Sequence, residues 1–252
     1  MQTQAILSYC GLTAALHFTA TAPGMAAAVA YTSGHADIGI RYEMGAFEPY
    51  LQFEHAVING IEITSGDFRA DGVEIIVPFD TYLILPTEAP FLGSLAGASV
   101  WLLPAGNTPG VPFLGWSTEQ LDPSEWAGNL TFSLVMATSG SGTGNFAAWQ
   151  FDSFGSVSSL AMSSAQPASA IGLNMAADTH DHYNLAFTEP GLWQVDLRIS
   201  GTHATAGAVA AVERFTFRVV PEPSSLLFTP LGFLVALRRR RDPAGASSGT
   251  RG

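Results

Sequence analysis

Apolar and polar residues alternate with a period of two along much of this chain. The pattern is clearest at 192–199, where Trp193, Val195, Leu197 and Ile199 fall on one side and Gln194, Asp196 and Arg198 on the other. It recurs at 37–42, 50–55, 72–77, 99–103, 130–135, 146–151 and 213–219, with Gly, Pro or Asn bounding the runs. Successive side chains of a strand point to opposite faces, so these runs predict half-buried β-strands. Eight of them without helical spacers predict an all-β domain, an antiparallel β-sandwich. One short helix is expected near 117–126, with Ser117 as its cap and Pro123 limiting it. Segment 139–145 reads as a Gly/Ser loop, 156–170 as a linker, and 183–187 as another strand-like stretch.

The two ends carry a different pattern. Residues 6–30 are apolar and small and close on Ala28-Val29-Ala30, an A-x-A pattern before Tyr31. This reads as a secretory signal peptide cut by signal peptidase near Ala30, although no Lys or Arg precedes its apolar stretch. At the other end, Pro221, Glu222 and Pro223 are followed by an apolar run at 226–237 and then by Arg238, Arg239, Arg240 and Arg241. The prolines end the preceding strand, the apolar run partitions into lipid, and the arginines resist crossing. The run has 12 residues and is broken by Pro230 and Gly232. A spanning helix needs about 20, so a transient stop during export suits it better than a permanent anchor. An ordinary short tail anchor has the same outline.

The fixed order of these three features resembles the PEP-CTERM sorting signal of Gram-negative bacteria. That resemblance implies processing by an exosortase-type membrane enzyme and a location in the cell envelope or extracellular matrix. The chain then divides into a signal peptide at 1–30, a β-sandwich domain at 31–220, a sorting signal with a hydrophobic helix at 221–241, and a disordered tail at 242–252.

Between the signals lie 19 acidic residues against five arginines, −14 with histidine neutral, and the chain has no lysine. So acidic a surface argues against nucleic acid as a partner and is compatible with attracting cations, though it serves solubility equally well. Cys10, the single cysteine, falls in the signal segment. The mature body therefore has neither a disulfide nor a thiolate ligand.

Histidine and carboxylate remain as the candidate chemistry. His180 and His182, in Asp178-Thr-His-Asp-His-Tyr183, share one face if the segment is extended, with roots about 6–7 Å apart. Two imidazoles so placed can converge on one ion at about 2.0–2.1 Å each. Asp181 then points away, and Asp178 in the preceding turn can reach back as ligand or hydrogen-bond acceptor. Tetrahedral zinc needs further ligands, for which His35, Asp37 and His55 are the suitable stock. A His-x-His pair also arises by chance at an exposed strand start. His203, in a Gly/Ala-rich loop, is the weakest of the histidines. No Gly-x-Ser-x-Gly, His-Glu-x-x-His or phosphate-binding glycine loop occurs, so no enzymatic activity is expected. Trp101, Trp116, Trp149 and Trp193 read as core residues in preference to a glycan platform.

A resemblance runs through the body of the chain. Gly34-His-Ala-Asp-Ile-Gly39 with Tyr42-Glu43, Glu48-Pro49 through Asn59-Gly60, Trp101-Leu-Leu-Pro104, Phe113-Leu-Gly115, His180-x-His182, Phe187, Pro190-Gly191 and a closing Phe-Thr-Phe-Arg-Val together resemble the surface-anchored "choice-of-anchor M" domain. The version it is most similar to is the PEP-CTERM group repressed by a zinc uptake regulator. That resemblance implies a role under zinc limitation, histidines kept at positions 35, 55, 180 and 182, and a metal-type ABC transporter as a partner.

Two functions follow as expectations. The first is a non-enzymatic zinc-binding protein, exported and processed at the envelope, that captures or holds metal when it is scarce. Imidazole and carboxylate would serve manganese or copper as well. The second is a structural or adhesive matrix protein co-exported with exopolysaccharide, with no metal role.

Overall fold

The computed structural model describes residues 28–221. Outside the described residues lie most of the expected signal peptide, the apolar sorting run, Glu222, Pro223, Arg238, Arg239, Arg240, Arg241 and the tail. Pro221, the last described residue, is exposed. In chain order the strands are β1 (Val29–Glu43), β2 (Ala46–Ile58), β3 (Ile61–Arg69), β4 (Val73–Val77), β5 (Tyr82–Ile84), β6 (Ser99–Leu103), β7 (Pro112–Ser117), β8 (Leu130–Ser139), β9 (Phe146–Phe151), β10 (Val157–Ser163), β11 (Leu173–Met175), β12 (His180–His182), β13 (Asn184–Phe187), β14 (Gly191–His203) and β15 (Gly207–Val219). Among the described residues there is no α-helix, and the domain is all-β.

The eight alternating runs lie in strands, apart from Gly72 in the turn before β4; most bury one face, whereas 37–40 of β1 and 146–149 of β9 are buried on both. Trp193, Val195, Leu197 and Ile199 of β14 are at most 1% exposed. The larger sheet runs β11-β8-β14-β15-β4-β1-β2-β3, with β7 added on β1 and β12 on β7; the smaller runs β10-β9-β13-β6-β5. Ile38, Leu51, Phe53, Phe215 and Phe217 of the first meet Leu103, Phe146, Leu185 and Phe187 of the second in one core. Phe187 bridges the sheets directly, with its ring centre 5.3 Å from Trp193 and 5.1 Å from Phe217. Each such buried side chain contributes about 1.5–3 kcal/mol. Two hairpins are set by local chemistry: Met44-Gly45 and Asn59-Gly60 all have positive φ. Those are the two-residue turns whose twist matches the strands they join.

Three expectations need correction. The pairing is not purely antiparallel: β4 and β7 both run parallel to β1, and β4 runs parallel to β15. Alternation reports which face is buried and is the same for either direction. No helix forms at 117–126. Ser117 ends β7, and Thr118, fully buried, is tied to the 176–179 turn by bonds from its amide to the Thr179 carbonyl (2.8 Å) and from the Asp178 amide to its own carbonyl (3.0 Å). In its place stand a turn closed by the Leu121 amide on the Thr118 carbonyl (3.0 Å) and one 3-10 turn, Pro123–Glu125, capped by Asp122, which accepts from the Ser124 amide. The 156–170 linker contains β10, whose Ala161 and Met162 enter the core while its serines mask the pattern. The first strand begins at Val29, with Ala30 paired to Glu74.

Candidate metal centre

Over residues 34–39, β1 lies between β2 and β7, and β7 carries the short β12 on its far side. The parallel register sets Asp37 beside Gly115, and the antiparallel register of β12 sets His182 beside the same glycine. His35, two residues before Asp37, shares its face and lies beside Phe113. Ala36, Ile38, Leu114 and Trp116 take the opposite face and pack in the core. Alternation thus delivers two groups from β1 and one from β12 to a single patch.

Gly115 makes the patch concave. A Cβ there would overlap Asp37 Oδ1 and stand 2.7 Å and 3.0 Å from His182 Cε1 and Nδ1. Without it, the two neighbours lean together across the middle strand. One ligand atom from each of His35, Asp37 and His182 lies within 4.8 Å of the others. Ligand atoms on a tetrahedral ion with bonds of 2.0–2.1 Å stand about 3.3 Å apart, so side-chain rotations of about 1 Å close the set.

The polar bookkeeping at this patch is incomplete. Asp37 is 3% exposed, and its Oδ1 meets no donor; His182 Nδ1 is likewise buried without a partner. Buried polar atoms are almost always satisfied, and a carboxylate oxygen facing a bare imidazole nitrogen is a pair that a cation would satisfy. Asp37 Oδ2 lies 3.5 Å from His35 Nε2, and His35 Nδ1 lies 3.6 Å from Glu54 Oε2. Asp37 therefore raises the His35 pKa above 6.5, against the opposing effect of burial and with help from Glu54. Burial lowers the His182 pKa; the charge of Asp37 works against this, while His35 adds to it. The Leu114 backbone also favours a proton on that ring but does not meet Nδ1 in hydrogen-bond geometry. Phe113 stacks flat on His182, with centres 3.8 Å apart and planes within 4°, and fixes the ring.

His180 sits on the same face of β12, its ring centre 5.9 Å from His182 and 6.4 Å from His35. Its Nδ1 is paired with Glu119 Oε1 at 2.9 Å. Asp181 points away as its alternation requires and accepts from Gln150 Nε2 at 2.9 Å.

The structure does not bring His55 or Asp178 to this cluster. His55 occupies a β-bulge at φ +51, opposite Gly34 at φ +85. The bulge turns its side chain to solvent, 75% exposed, with Nδ1 4.0 Å from Glu62. The backbone is what matters at this position. A Cβ on Gly34 would overlap the His55 carbonyl, the Tyr31 hydroxyl donates to the Gly34 carbonyl at 2.6 Å, and beyond the bulge His35 pairs with Glu54. Asp178 turns left-handed at φ +61 and is exposed. His203 is a structural residue: its Nδ1 accepts from the Thr205 and Ala206 amides, and its ring stacks on Tyr42.

Sequence reasoning missed Gly115, Phe113, Glu54 and Glu119. The alternation of Phe113, Gly115 and Ser117 against Leu114 and Trp116 was the available signal for the first two. A cleft of about 300 Å³ on β1–β3, lined by Arg41, Tyr50, Asp67 and Arg69 among others, contains none of the three clustered residues. No family model, curated protein or solved structure matches this chain.

Proposed function

We propose that this protein binds one divalent transition metal through His35, Asp37 and His182, with zinc the ion best suited to two imidazoles and a carboxylate without thiolate. The observation that carries the reading is the notch over Gly115, where a buried carboxylate oxygen and a buried imidazole nitrogen face each other unpartnered. In the ion's absence, Asp37 beside His35 favours a proton on that ring, and a metal taking its place would compete with that proton. The role is non-enzymatic capture or holding of zinc when it is scarce, in an exported protein processed by signal peptidase and an exosortase-type enzyme. The resemblance to the choice-of-anchor M group and the order of features at the two ends support that setting, and a metal-type ABC transporter is the partner it implies.

The test is calorimetric titration of the purified full chain with zinc. One ion per chain is expected, lost in His182→Ala and in Asp37→Asn. Equal stoichiometry and affinity in both variants would sink the proposal.

The matrix reading has one observation in its favour: Phe151 and Phe154, on the β9–β10 hairpin, are 48% and 91% exposed. Against it, Trp101, Trp116, Trp149 and Trp193 are all at most 5% exposed and cannot stack on sugar rings. Retention on an exopolysaccharide column in the presence of chelator, lost in Phe154→Ser, would favour it.

A further inference from the structure

We infer that His180 is a movable fourth ligand to this ion and that Glu119 is the residue that orients it, so that the loaded site is closed entirely by protein. This rests on the metal site proposed above.

Two imidazoles bound through nitrogen to one tetrahedral ion place their ring centres roughly 5–6 Å apart, given bonds of 2.0–2.1 Å. His35 and His182 are 5.2 Å apart, His180 and His182 5.9 Å, and His180 and His35 6.4 Å. The three rings thus already form a triangle of nearly the right size, with Asp37 at its base. His180 is the outlying corner, and its ring is the one not gathered with the other three groups.

The contact to Glu119 explains both the offset and the readiness. When Nδ1–H donates to a carboxylate, the ring's lone pair stays on Nε2 and its basicity rises, the arrangement that metal-binding histidines use. The 2.9 Å pair therefore leaves Nε2 as the nitrogen available to an ion. Glu119 stands on firm support. Its Oε2 accepts from the Ser117 hydroxyl at 3.3 Å, and its amide donates to the same hydroxyl at 3.2 Å. Thr118 between them is fully buried and bonded to the turn that leads into His180, its own hydroxyl donating to the Ala176 carbonyl at 2.6 Å. The backbones carrying the carboxylate and the imidazole are thus locked to each other, while the two side chains are 41% and 48% exposed, so a swing of the imidazole about the carboxylate it is paired with meets little packing. His182 has no such freedom under Phe113.

The consequence separates holding from turnover. With three protein ligands an ion keeps an open position for water; with His180 added the position closes. Swinging His180 back toward solvent reopens the site from its exposed side, which gives an ion a route out to an acceptor.

The experiment loads the full chain with cobalt(II) and reads its visible d–d bands together with its affinity by competition. Wild type is expected to bind one ion with the intense bands of four-coordination. His180→Ala should still bind one ion, with d–d bands shifted from those of wild type as water replaces the imidazole, and affinity lowered about 10–100-fold. Glu119→Gln should keep the four-coordinate bands and lose about 10-fold in affinity. If wild type binds one ion and His180→Ala matches it in bands and affinity, the fourth-ligand role is overturned while the three-residue site stands. If Glu119→Gln matches wild type in affinity, the orienting role of Glu119 is overturned. If wild type takes up no cobalt, the underlying site is itself wrong.

Discussion

Asp37→Asn should make the metal-free protein more stable while abolishing metal binding, because the carboxylate's charge serves the ion more than the fold. Asp37 is 3% exposed, its Oδ1 has no donor, and among the described residues the basic group paired with it is the His35 ring at 3.5 Å, a cation when protonated. An unsatisfied buried acceptor costs about 1–3 kcal/mol, and more if charged. An amide of the same shape removes the charge and adds a donor in the notch that holds the bare Nδ1 of His182. The attraction to His35 opposes this gain. Asp37 raises the His35 pKa above 6.5, so that attraction is fully present below pH 6.5 and is lost as pH rises through the higher folded value. At pH 9 the gain of about 1–3 kcal/mol is unmasked; at pH 6 it shrinks or reverses. At about 2–4 °C per kcal/mol for a chain of this size, Tm at pH 9 in chelator should rise by roughly 2–12 °C. Wild type at pH 7.5 with free zinc at about 100 times Kd should gain a further ~2.7 kcal/mol, and the variant none. Scanning calorimetry in both conditions is the assay. A variant that melts below wild type at pH 9 in chelator, or that keeps the zinc increment, would refute the reasoning.

Other perturbations follow from the same geometry. Gly115→Ala places a methyl against Asp37 and His182 at a position without backbone strain, so the fold should survive while zinc affinity falls about 100-fold or more, as read by competition with a chromophoric chelator. Gly34→Ala, at φ +85 against the His55 carbonyl, should destabilise by about 2 kcal/mol or more in urea melts. His55→Ala should stay within about 0.5 kcal/mol of wild type with zinc affinity unchanged. With the His35 pKa raised and that of His182 lowered, zinc uptake just above pH 6.5 should release more proton from His35 than from His182. Titrations in buffers of different ionisation enthalpy count that proton, and affinity should start to fall at a higher pH than an unperturbed histidine would dictate.

The strands of the core were legible because burial of one face imprints a period of two, as in β14 and β15. β7 was harder to read. Pro112 and Gly115 break its pattern, and that glycine is what the site requires. β10 hides behind the serines at its two ends, of which Ser163 is itself buried. Strand direction was not legible at all, yet the parallel β1/β7 pairing is what aligns Asp37 with Gly115 and, through β7, with His182. His182 was recognisable as ligand chemistry from its i, i+2 spacing with His180, and His35 and Asp37 from residue type alone. His55 looked equivalent to them, and a bulge of one residue sent it outward. Bulges act by backbone conformation, and only the glycine at 34 hinted at this one. Glu119 lies 61 residues from His180 and was invisible until the Thr118 contacts brought their turns together.

Anomalous diffraction at the zinc absorption edge, from crystals of zinc-loaded protein, tests the central claim most directly. One peak is expected per chain, within about 2.0–2.2 Å of His35, Asp37 and His182. A peak at His55 and Glu62, or no peak on the face of β1, β7 and β12, would contradict it.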